Sequence, residues 1–142
     1  MKILLITPAQ VNMLAFRGEL EESYISHSAI LVAQERYIRP AFSECYETLT
    51  SSAEPYPNFL TDYLQPALSQ YIRYDILPSL IAQTGNSGIV QFGGTGNTKS
   101  ATESSLNELM KATKRDAKVL LQRATNRGLK LKIIAEKHRM FI

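Results

Sequence analysis

The residues that could do chemistry in this 142-residue chain are few and scattered. Gly93-Gly94-Thr95-Gly96-Asn97-Thr98-Lys99-Ser100 follows a strand-like run, precedes a helical pattern and ends Lys-Ser, so it looks like a phosphate-binding loop. That loop needs glycine immediately before the lysine, where the backbone wraps the phosphates, and Thr98 stands there instead. It also needs several parallel strands, and Ile89 to Phe92 is the one candidate beside it. Nucleotide binding is therefore not expected. His27 and His138 lie far apart, and neither has a ligand or acid–base partner at a useful spacing. Cys45 sits among apolar neighbours at helical spacing and reads as core rather than nucleophile. With one cysteine there is no internal disulfide and no multi-cysteine zinc site. Glu19, Glu21 and Glu22 gather at a helix entrance, where carboxylates favour the dipole. No catalytic residue, cofactor site or metal site is expected, and the chain is not read as an enzyme.

Charge is more informative. The net charge of +3 hides an asymmetry: residues 1–98 hold five Lys and Arg against nine Asp and Glu, residues 99–142 eleven against four. The basic part includes Lys111, Lys114, Arg115, Lys118, Arg123 and Arg127, at mixed helical spacings around the polar side of one segment. Such a face suits nucleic acid or an acidic protein neighbour, and equally an ordinary solvated helix face. Seven tyrosines, with Tyr63, Tyr71 and Tyr74 on one segment, suggest a half-buried contact surface, with ordinary core packing the commoner role for any one of them.

The elements that position these residues read as helices. Thr7 can cap a short helix from Pro8 to about Phe16, Gln10 can reach back as in a capping box, and Gly18 ends it. Ser23 or Ser26 can cap the next, with Ile25, Ala29, Val32, Ala33 and Tyr37 on one face. Pro40 must interrupt or kink that helix. Phe42, Cys45, Tyr46 and Leu49 mark a further face, and residues 50–57 read as a loop. From Asn58 to about Gln83 runs the longest periodic segment, which Pro66 and Pro78 should kink or split. Gly85 to Ser100 reads as a β-like insertion, a hairpin or a long exposed loop. The last helix spans roughly Ala101 to Asn126, with Gly128 placed to end it. Leu68, Ile72, Leu109, Leu120 and Leu121 should be buried against one another.

Beyond Gly128, Leu129, Leu131 and Ile133 alternate with lysines like an edge strand, and Met140, Phe141 and Ile142 follow. The last three make sense if the tail, residues 129–142, docks on another chain; the alternative is that it folds back over its own bundle. The expected class is mainly α: a bundle of four to five helices over residues 1–128, with a loop arm at 84–100 and an extended docking tail at 129–142. No apolar run approaches the ~20 residues of a membrane span. The opening MKILLITPAQ lacks a signal-peptide core, so a cytosolic, reducing origin is the expectation.

One longer pattern stands apart. Ile30-Leu31-Val32-Ala33-Gln34-Glu35-Arg36-Tyr37-Ile38-Arg39-Pro40-Ala41-Phe42, followed by Cys45-Tyr46 and Leu49, is similar to the opening of head-to-tail connector (adaptor or ring) proteins of tailed bacteriophages. A helix carrying Ala-Gln runs there into an Ile-x-Pro step, a second short helix and a polar loop. The likeness continues through the long helix Leu60 to Gln83, the break at Gly85 to Val90 and the final helix. It covers roughly residues 25–127 and suggests the ring proteins of crAss-like phages. Met1 to Phe16 and the tail after Gly128 depart from the simplest members. The resemblance implies an all-helical structural subunit of the virion, made in the host cytoplasm and placed at the head–tail junction. It implies a ring, usually of about twelve copies, that joins the portal protein to further connector or tail proteins. Contact with double-stranded DNA in the channel would be non-specific, and no membrane is involved. The alternative is a basic helical module that binds nucleic acid on its own.

Overall fold

The computed structural model describes residues 4–43, 45–51, 57–93 and 99–130, with side chains placed over 4–43, 45–51, 58–80 and 105–130. The architecture is a mainly α bundle, as expected. Its elements are α1 (Pro8–Phe16), a 3-10 turn (Glu22–Tyr24), α2 (His27–Ala33), α3 (Arg39–Phe42), α4 (Cys45–Ser51), α5 (Pro57–Phe59), α6 (Gln65–Gly93) and α7 (Lys99–Lys130). Wide π turns at Gln34–Ile38 and Leu60–Leu64 join α2 to α3 and α5 to α6. Helix α6 is the central member, packed on α1, α2 and above all α7.

Local signals set the helix starts. Thr7 Oγ1 accepts from the Gln10 N–H while Gln10 Oε1 accepts from the Thr7 N–H, which completes the capping box. Ser26, not Ser23, caps α2 through the Ala29 N–H. Helix α1 ends where Arg17 and Gly18 turn left-handed, with φ of 56° and 77°. Asn12 locks that reversal: its side chain donates to the Leu20 carbonyl at 2.6 Å and accepts from the Leu20 N–H at 3.1 Å. A buried Asn on a helix is thus fully explained by one backbone unit eight residues away.

Pro40 and Pro66 each fall where the α-helix gives way to a π turn, the interruption expected of them, and Pro78 does not. Pro40 and Pro66 each follow a π turn, in which the Arg39 N–H bonds the Gln34 carbonyl and the Gln65 N–H bonds the Leu60 carbonyl. A proline ring clashes with the carbonyl four residues back. One wide turn just before the proline moves that carbonyl aside, so the helix runs on without a break. Pro78 also lies inside α6, which neither stops nor divides there.

The β-like insertion is a correction. Residues 85–93, with Ile89 to Phe92 among them, continue α6 as helix, and Lys99 and Ser100 already belong to α7. The expected arm at 84–100 thus reduces to residues 94–98, which lie outside the described residues. Gly128 is likewise not a helix end: it is buried within α7, which continues to Lys130. A glycine weakens a helix interior by only about 1 kcal/mol, less than the packing of a long helix supplies.

Leu64 of the second π turn and Leu68, Ile72, Leu77 and Leu80 on α6 carry the core toward Phe16, Ile30, Phe42, Tyr46 and Leu49. Of the five leucine and isoleucine positions expected to meet, Leu68 and Ile72 are fully buried. Leu109 and Leu121 are half-buried against the same cluster, and Leu120 is half-exposed outside it. Ala117 and Ala124, both wholly buried, take the closest approach of α7 instead. On α2 the buried positions are Ile30 and Ala33, while Val32 faces solvent.

Candidate interaction surface

The six basic candidates on α7 form two separate groups. Residues 107, 111, 114 and 118 recur at three- and four-residue steps, so they share one flank of the helix. There Lys111, Lys114, Arg115 and Lys118 rim a groove of about 720 Å³ whose apolar lining is Tyr74, Met110 and Val119. Lys114 Nζ lies 5.3 Å from the centre of the Tyr74 ring, a cation–π contact that ties the rim to α6. Lys111, Arg115 and Lys118 are exposed.

Arg123 and Arg127 belong elsewhere. Their guanidinium carbons sit 4.1 and 5.7 Å from the Tyr63 ring centre. Arg123 Nη1 also donates to the Asp62 carbonyl at 2.9 Å. That carbonyl is the one Pro66 cannot serve, since proline carries no N–H. A basic residue read as a nucleic-acid contact therefore caps a backbone group left over by a proline. Sequence spacing carried no sign of it, because Arg123 and Asp62 are 61 residues apart.

Half a turn from the basic row, Leu109, Ala112, Thr113 and Asp116 line a hollow with Leu14, Arg17, Glu19 and Arg73. Arg73 is held there: Nη1 donates to the Ala15 carbonyl at 2.6 Å and the guanidinium lies 5.1 Å from the Phe16 ring centre. Burial, and then the neighbouring Arg17, push its pKa down. Glu19, Glu21 and Glu22 are exposed, but they surround the 3-10 turn rather than the start of a long helix, so the expected dipole role does not apply.

Tyr37 and Tyr46 are a second polar feature that the sequence reading passed over. Tyr37 stacks on Tyr71 at 4.0 Å, and its hydroxyl donates to Asp75 Oδ1 at 2.6 Å. Arg36 reaches the same oxygen at 3.4 Å. Burial first, then the Asp75 hydrogen bond, raises the Tyr37 pKa to about 12. Burial also raises Tyr46 to about 12. Both values lie above the ordinary ~10, so the native state holds these protons more tightly than the unfolded chain. The resulting stability is fully present below pH ~10 and lost as pH climbs through about 12. The urea midpoint should fall across that window. The double variant Tyr37→Phe/Tyr46→Phe, which has no hydroxyl to ionise, should show a visibly shallower fall; an unchanged slope would mean other groups govern it.

The remaining candidates find ordinary places. Cys45 is half-buried against the core, and His27 is exposed at the first position of α2. Leu129, placed in the docking tail by the alternating pattern, lies on α7 half-buried against the core. Leu131, Ile133, Met140, Phe141 and Ile142, like His138, lie outside the described residues. Among the described residues no three metal-ligating side chains gather, and no helix is long and apolar enough to cross a membrane.

Fold and surface together define a helical bundle with charged, part-apolar flanks. Residues 32–127, more than half of the chain, match the model of a family described as of unknown function, DUF6712. The chain belongs to that family. No curated protein and no solved structure matches it.

Proposed function

We propose that this chain is a structural subunit of an oligomeric ring that joins a phage portal to the tail and extends the DNA channel. In this reading it is a non-enzymatic virion protein of the head–tail junction. The sequence resemblance over residues 25–127 is what suggests the class. The structural observation that carries the reading is the two-sidedness of α7. A subunit that repeats around a ring must offer each neighbour a different surface. The flank with Lys111 and Lys118 differs from the flank with Leu14 and Glu19 in both shape and charge. The portal and further connector or tail proteins are the proposed neighbours above and below, with residues 131–142 a proposed docking segment.

The exposed lysines also support a second reading, a monomeric helical module that binds nucleic acid through its backbone phosphates. Electron microscopy and mass photometry of the purified protein, alone and mixed with its portal, separate the two. Closed rings of about twelve copies are the expected result. A monomer in both conditions that is retained on duplex DNA, and released steeply by salt, would overturn the ring reading in favour of the second.

A further inference from the structure

Five large apolar side chains are exposed among the described residues: Met13, Leu14, Leu31, Val32 and Val119. Three of them coincide with charge. Val119, 63% exposed, lies in the groove with Tyr74 and Met110, inside the rim of Lys111, Arg115 and Lys118. Met13, 66% exposed, and Leu14 project from α1; Leu14 shares a hollow with Glu19, and the exposed Glu21 and Glu22 follow on the next turn of chain. Gly18 brings these last features together, because the Met13 sulfur lies 3.1 Å from where a Gly18 side chain would begin. Asn12 holds the acidic segment against α1 through Leu20.

We propose that the basic groove receives the Met13–Leu14 and Glu19–Glu22 edge of a second copy of this chain, head to tail. This rests on the ring reading above and assigns the surfaces that build it. A phosphate backbone asks for cations and makes no use of an exposed valine between them. A protein edge does: apolar contact at the centre supplies affinity, and charges at the rim fix register and exclude wrong partners. The groove offers cations around an apolar floor, and the α1 edge offers carboxylates around apolar side chains. The hollow at that edge also holds Arg17, Arg73 and Asp116, so with Glu19, Glu21 and Glu22 four carboxylates stand against two guanidinium groups. The two patches occupy opposite flanks of α7 and cannot meet within one molecule. Each copy can therefore bind one neighbour on each side, and repetition gives a ring where the rotation closes.

Two charge-reversal variants test the pairing. In one, Lys111→Glu/Arg115→Glu/Lys118→Glu makes both patches acidic. In the other, Glu19→Lys/Glu21→Lys/Glu22→Lys makes both basic. All six side chains are exposed, so circular dichroism and melting should match the parent. Sedimentation velocity should show the parent chain assembling and each variant alone associating at least about tenfold more weakly, since like charges then face each other. An equimolar mixture should assemble again, because every contact in it pairs opposite charges. A mixture that stays dissociated overturns the pairing. So does a Lys/Arg-reversed variant that assembles like the parent and has lost only its retention on duplex DNA; the groove is then a DNA surface and the ring reading stands. A parent chain that stays monomeric, alone and with the portal, overturns both.

Discussion

Ala124→Asp should abolish the folded state. Ala124 is wholly buried on α7, within the cluster that contains Leu68 and Ile72 of α6. Ala117, seven residues earlier on the same face, and Ala67 on α6 are equally buried. Small side chains at these positions let the two longest helices lie close. A carboxylate there loses its water and gains no partner, a penalty of several kcal/mol. That is comparable to the whole stability of a typical domain, roughly 5–15 kcal/mol. Leu120→Asp, four residues before Ala124 but half-exposed, keeps its carboxylate near water and should cost only about 1–3 kcal/mol. Far-ultraviolet circular dichroism with thermal melting checks both. The first variant should lack a cooperative transition at 25 °C, while the second melts earlier than the parent. A cooperative melt for Ala124→Asp near that of the parent would show that α7 does not pack on α6 through this face.

Gln34→Leu is expected to destabilise by about 1–3 kcal/mol although it puts a hydrocarbon of similar size into a core. Gln34 is wholly buried at the start of the first π turn, on the short face where α2, α4 and the chain's opening meet. Its Oε1 accepts from the Leu5 N–H at 2.6 Å, and its Nε2 lies 3.4 Å from the Tyr46 hydroxyl. Leu5 is itself buried, so losing the acceptor leaves a backbone N–H without its partner and without water. The Leu5 carbonyl is held from the other side by Gln65 Nε2 at 2.9 Å. The two glutamines therefore grip one peptide segment, and their effects should not add. A double-mutant cycle with Gln65→Ala, read from urea midpoints, should give a coupling of at least about 0.5 kcal/mol. Zero coupling would mean that residues 4–6 are held by side-chain packing alone.

Much of this fold was legible because its signals are local. Thr7, Gln10 and Ser26 meet their partners within one turn of helix, so the cap can be read without knowing anything else. The stripe from Phe59 to Leu80 follows from helical periodicity and points at the core with few exceptions. The glycines, and proline at position 78, misled for the same reason that they are useful. Their effects are local penalties of about 1–3 kcal/mol, and tertiary packing can outweigh or absorb them. Residues 85–93 and Gly128 stayed helical, and Pro40 and Pro66 were absorbed by π turns. Pro66, which has no N–H, leaves over the Asp62 carbonyl that Arg123 satisfies, a demand that exists only in the folded chain.

The candidate surface divides along the same line. By itself the sequence determined a helical class, a basic final helix and an acidic first part, because composition and period depend on order alone. Only the tertiary structure decided that Lys111, Lys114, Arg115 and Lys118 share a groove with Tyr74, while Arg123 and Arg127 turn to Tyr63. It alone brought Gln34 to Leu5 and Tyr37 to Asp75, across separations of 29 and 38 residues. The physical reason is that a polar side chain's role depends on which desolvated groups it must satisfy. Those groups come from distant parts of the chain, and no spacing along one helix records them.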